Sequence, residues 1–185
     1  MLQITLPDTD KFNEETMEFV TFKGQTLTLE HSLISLAKWE SKWHVPFLSK
    51  REKTEAETID YIRCMTLTPN VDPNVYKGIN NDIIDQVNEY IKDPMTATWF
   101  SEENEKEKKK SKSSNEQVTA ELIYYWMITL NIPPEYQKWH LNRLLTLIKV
   151  CNIKNAPPKK MSKKDTLARN ARLNKMRREA LGSKG

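Results

Sequence analysis

Glycine is scarce in this chain, with four in 185 residues. So few argue against a turn-rich β-sandwich and leave no material for a Gly-rich phosphate loop. No G-x-S-x-G nucleophile elbow occurs. Cys64 and Cys151 are the only cysteines. Both fall inside apolar helical patterns, so they read as reduced core thiols rather than a disulfide framework. His31, His44 and His140 are scattered, and none stands at metal-ligand spacing from another His or Cys. Spacing alone does not exclude a Cys–His nucleophile pair, but a thiol on a buried face is inert. No apolar run approaches the roughly 20 residues that span a bilayer. The opening "MLQITLPDTDKF" lacks the positive and apolar regions of a secretory signal. These shortages predict a cytosolic chain that is no enzyme and uses no cofactor, metal or membrane.

Charge and aromatics are present in quantity. Charged residues make up 29% and apolar residues 38%, and five Trp, six Tyr and five Phe supply bulky anchors for a core. The net charge of +4 is unevenly placed. From Pro157 onward six Lys and four Arg stand against Asp165 and Glu179, a net of +8, so residues 1–156 carry about −4. A basic end on a mildly acidic body implies an anionic partner or an acidic protein surface. The expected organisation is a mainly α-helical domain over 1–156, with a small N-terminal β-hairpin region, and a basic, helical C-terminal tail over 157–185.

The hydrophobic period supports that division. "LQITL" and "MEFVTF" alternate, as strands do, and "KGQ" with Gly24 reads as a hairpin turn before "TLTLE". Two or three short strands are expected before residue 30. Leu29, Leu33, Leu36, Glu40 and Trp43 then form a helical stripe that Pro46 ends. "TEAE" (Thr54 to Glu57) is a capping box opening a second helix through Ile59, Ile62 and Met65. Pro73 and Gly78 bracket one short turn, and "NNDIIDQVNEYIKD" is a third helix burying Ile83, Ile84, Val87 and Ile91. Residues 101–117, "SEENEKEKKKSKSSNEQ", contain no aliphatic or aromatic side chain and predict a flexible loop. "VTAELIYYWMITL" is apolar around most of its circumference, which predicts central burial or two packing partners. Pro134 suits the start of a following helix with Leu141, Leu144, Leu145, Ile148 and Cys151 on one stripe, the pair forming an αα-hairpin. In the tail, Ser162 and Asp165 resemble a capping box and Gly182 a stop, around a marginal basic helix.

Three groups are candidates for contact. Trp39 and Trp43, four apart, are either an exposed aromatic ledge or one core Trp and one at its edge. Tyr136, Trp139, His140 and Arg143 lie in a line, and Tyr, Trp and Arg dominate interface energetics, although buried Tyr and Trp also pack with their polar atoms satisfied. The tail offers Lys159, Lys160, Lys163, Lys164, Arg169, Arg172, Arg177 and Arg178 to phosphates or to an acidic protein surface. Its weak apolar face, without Trp or Phe, argues against a membrane surface.

The blocks "LEHSLISLAKWESKWHVPFLSK", "TIDYIRCMTLTPNVDP", "PMTATWFS", "TAELIYYWMITLNIP" and "KWHLNRLLTLIKVCNIKNAPPKKMSK" resemble small bacteriophage proteins encoded among tail genes, of the tail assembly chaperone kind. The resemblance covers nearly the whole chain, with the lysine-rich stretch near Glu105 as the variable part. It implies phage tail morphogenesis by protein–protein contact in the host cytoplasm. The implied partners are tape-measure or tail-tube subunits, with no catalytic residue and with self-association open. The alternatives are a structural component kept in the virion and a nucleic-acid-binding module using the tail.

Overall fold

The computed structural model describes residues 1–13, 17–100, 117–157 and 163–182. The protein is mainly α-helical with a small antiparallel β region at its N-terminus, as its hydrophobic periods predict. The first compact unit is Met1–Asn152 and the second is Ile153–Gly185.

Four strands precede the helices: β1 (Leu2–Thr5), β2 (Thr9–Asn13), β3 (Glu18–Phe22) and β4 (Thr26–Leu29). Their pairing corrects the expected turn at Gly24. β3 pairs back onto β2, from Thr9↔Phe22 to Asn13↔Glu18, and β4 pairs with β1, from Leu2↔Leu29 to Thr5↔Thr26. Both ladders keep one register across the break between them, and the Leu6 N–H donates to the Gln25 carbonyl at 3.0 Å inside that break. The four strands are therefore the two arms of one long hairpin. Gly24 serves a different purpose from a turn: a Cβ there would lie 2.2 Å from the Leu6 carbonyl oxygen. Its N–H donates to Asp8 Oδ1 at 2.6 Å. Ile4, Leu6, Leu27 and Leu29 are buried on the inner face while Gln3, Thr5 and Thr26 face out, the alternation that the pleat imposes.

α1 (Leu33–Trp43) starts at an N-cap, Ser32, whose hydroxyl and Ser35 form a reciprocal box. Leu29 belongs to β4 rather than to this helix, because the cap sets the boundary. Leu33, Leu36 and Trp39 are fully buried. His44, in the left-handed region at φ 55°, closes the helix ahead of Pro46. α2 (Glu55–Met65) opens at the Thr54–Glu57 box read from the sequence. A 3₁₀ turn, Pro73–Gly78, is capped by Asp72, and α3 (Asn81–Lys92) by Asn80. α2 packs on α1, and α3 lies against β1.

α4 (Ala120–Thr129) departs from expectation. Ala120, Ile123 and Met127 are buried, but Tyr125 is 61% and Ile128 75% exposed. Its main neighbour is α1, and the Tyr124 hydroxyl reaches Gln137 at 3.0 Å, while Tyr125 and Ile128 stay uncovered. A second 3₁₀ segment, Pro134–Lys138, takes the place of the first turns of the next helix, and α5 begins at Leu141 (Leu141–Asn155). Leu141, Leu144 and Ile148 of α5 complete the core, with Leu145 and Cys151 at its edge. In the second unit α6 (Lys163–Leu181) ends at Gly182, φ 62°, the left-handed stop that glycine adopts without strain. The region 101–116 and Ser162 lie outside the described residues.

Candidate contact surfaces and a buried histidine pair

Trp39 and Trp43 part company although they share a face. Trp39 is wholly buried, and its indole N–H donates to the Glu57 carbonyl at 2.9 Å. It stands edge-on to Phe47 at 5.1 Å, while Phe47 and Tyr61 stack at 3.9 Å. Trp39 is therefore core, which corrects its candidacy as a contact residue. Trp43 stacks beside it at 6.1 Å and is half-buried. Its indole N–H donates to Asp60 Oδ2 at 2.9 Å, and Lys42 reaches Asp60 Oδ1 at 2.5 Å. Burial works against the Asp60 anion, but the bonds from Lys42 and Trp43 and the charge of Arg63 hold its carboxyl below the usual range. The Arg51 guanidinium, with the Thr54 N–H, does the same for Glu57.

Tyr136, Trp139 and Arg143 do come together. The 3₁₀ segment places Tyr136 three residues before Trp139, and their rings lie nearly parallel, 4.2 Å apart. The Arg143 guanidinium covers the Trp139 ring at 4.1 Å, a cation–π contact. Both rings are half-buried and Arg143 is exposed, so the stack is a pre-ordered polar–aromatic step on the surface.

The tail candidates split by what is described. Lys159 and Lys160 lie outside the described residues, and Lys163 is placed only as the first residue of α6. Lys164, Arg169, Arg172, Arg177 and Arg178 are exposed, as is every α6 residue from Lys164 to Leu181. That includes Leu167, 70% exposed, and Met176, 62% exposed.

His31 and His140, unremarkable by spacing, meet in the core. Their rings are 5.1 Å apart and edge-on, and the residues are 1% and 6% exposed. His31 Nδ1 shares a 2.5 Å hydrogen bond with the Tyr61 hydroxyl, and His140 Nε2 lies 3.0 Å from the Tyr90 carbonyl oxygen. Burial, then the neighbouring His140, pushes His31 down to about 3, and burial likewise lowers His140. No local pattern marks this pair: His31 stands between Glu30 and Ser32, and His140 between Trp139 and Leu141. No group of three or more His, Cys, Asp or Glu side chains is placed to hold a metal among the described residues.

The two thiols are free and half-buried, less enclosed than their helical patterns imply. Cys64 lines an apolar cleft of about 430 Å³ with Ile34, Met65, Leu67, Lys38 and Lys138. Burial, then the Asp60 charge, pushes that thiol up, away from the reactive thiolate. No described helix is long and apolar enough to cross a membrane. Comparison with protein-family models, with curated proteins and with solved structures finds no match.

Proposed function

We propose that this protein acts by non-covalent contact with another protein, as a bacteriophage tail assembly chaperone acts on a tape-measure protein. The observation that carries the contact reading is the ordered Tyr136–Trp139–Arg143 stack, half-open to solvent at the start of α5. Rigid aromatic rings with an arginine are the side chains that bind at low ordering cost. The uncovered Tyr125 and Ile128 of α4 add apolar surface of the kind that meets partner helices. The phage setting, and the host cytoplasm with it, rests on the resemblance of the sequence blocks. Half-buried Trp43 is a further contact residue in this reading, and the tail cations orient an acidic partner.

An affinity capture from infected cells tests this. Wild-type protein is expected to retain tail subunits, and W139A with R143A to retain at least tenfold less while keeping its circular dichroism. Equal capture by the folded double variant overturns the reading. Mass spectrometry of purified particles separates a chaperone, absent from them, from a virion component. The full exposure of α6 supports a second reading, nucleic-acid binding. That reading requires a salt-sensitive gel shift that vanishes when residues 157–185 are removed.

A further inference from the structure

The geometry points to a latch: we propose that the His31–His140 pair is acid-sensitive, and that protonating it frees the end of α3 and the start of α5 from the β4–α1 corner. Three segments meet at His140. Its backbone bridges Ser32, and the next residue, Leu141, donates its N–H to the His31 carbonyl at 2.7 Å. The Asn142 side chain donates to the carbonyls of Ile91 and Asp93, each at 2.8 Å.

The partners of His140 dictate its protonation state. A carbonyl only accepts, so Nε2, facing the Tyr90 oxygen, carries the proton. A backbone N–H only donates, so Nδ1, which receives the Asn142 N–H at 3.3 Å, is bare. The neutral ring is thus the N-terminal cap of α5. A second proton would set an Nδ1–H against the Asn142 N–H and place a cation at the positive end of a helix dipole. It would also face the His31 ring 5.1 Å away, inside the core.

Among the described residues no carboxylate pairs with either ring. Glu30, at the end of the β4 arm, accepts the Tyr90 hydroxyl at 2.8 Å and pairs with the Met1 amine at 3.2 Å. Glu30 and Asp93 favour a cation on His140 from a distance, the amine opposes it, and burial opposes it most. From α2, Tyr61 holds His31, and Cys64 and Glu40 (the latter from α1) act on Tyr61.

Amide hydrogen exchange, corrected for intrinsic rates, tests the latch on the full chain at pH 7 and pH 5. Wild-type amides near Ile91–Asp93 and Asn142–Leu144 are expected to lose protection at least tenfold at pH 5 and to exchange faster than those of α1 and α2 at both pH values. His140→Asn keeps an uncharged cap but leaves His31 in place, so it is expected to reduce that loss without abolishing it, and replacing both histidines by Asn to lower it to threefold or less. Imidazole ¹⁵N shifts in wild-type protein give a reading independent of any variant. Both rings are expected to be neutral at pH 7, His140 with its proton on Nε2, and to stay neutral in the folded chain at pH 5. Titration of both rings near 6.5 with protection unchanged overturns the latch, and so does exchange of these amides no faster than that of α1 and α2 at either pH. The latch stands or falls regardless of which partner the surface binds.

Discussion

Glu40 is placed on α1, yet both of its carboxylate oxygens serve other segments. Oε1 accepts the Phe47 N–H at 2.7 Å, and Oε2 accepts the Ala120 N–H at 2.7 Å, eighty positions along the chain. Glu40→Gln turns one of these acceptors into a donor facing a donor, and is expected to cost about 1–3 kcal/mol in urea unfolding. Gly24→Ala forces a Cβ onto the backbone of Leu6 and Pro7, where no flexible side chain exists to move aside. The expected loss is about 1–3 kcal/mol by the same measurement. At this scale the sequence was informative only where partners are local. The Thr54–Glu57 box is readable, because a three-residue spacing defines it, whereas the shared face of Trp39 and Trp43 leaves their split open. Glu40 looked like one more polar residue in a stripe, and the histidines looked scattered, because their partners come from distant segments that no local pattern connects.

Among elements, α4 carries the clearest mismatch between pattern and packing. Its residues are apolar most of the way round, but its main neighbour, α1, leaves Tyr125 and Ile128 uncovered. Because Ile128 and Tyr125 touch little in the folded chain, I128D is expected to change stability by less than about 0.5 kcal/mol. If α4 belongs to the contact surface, the same variant reduces capture of the partner. Thr54→Ala removes a reciprocal cap and is expected to cost about 1 kcal/mol, seen as a lower urea midpoint. The hairpin shows why topology was less readable than element type. Alternation identified the strands, but pairing depends on which arm folds back, and that is fixed by a register running through the interruption at Leu6 and Gln25.

For the molecule as a whole, acid is the informative stress. His31 is held near 3, below the value of about 6.5 that it takes in the unfolded chain. The unfolded state therefore takes up a proton that the folded state refuses. Stability is full above about pH 6.5 and falls with pH toward 3, with about 2 kcal/mol lost by pH 5 from this one group. His140 adds to the loss in the same direction. Asp60 and Glu57, held low in the folded state, add a second loss below about pH 4. Urea midpoints across pH 4–8 are expected to decline from about pH 6.5 downward, and a flat profile above pH 5 would contradict the buried pair.

The position of α5 in the chain bears on how the protein is made. Leu141, Leu144 and Ile148 close a core whose other walls, from Ile4 to Met127, come earlier in the chain. At about 5–20 residues per second, a ribosome delivers that last wall many seconds after the first strand emerges. Until then the core lacks its last buried side chains, so the nascent chain passes through an interval in which it is itself sticky. Premature truncation anywhere before α5 should yield aggregates rather than a smaller soluble protein.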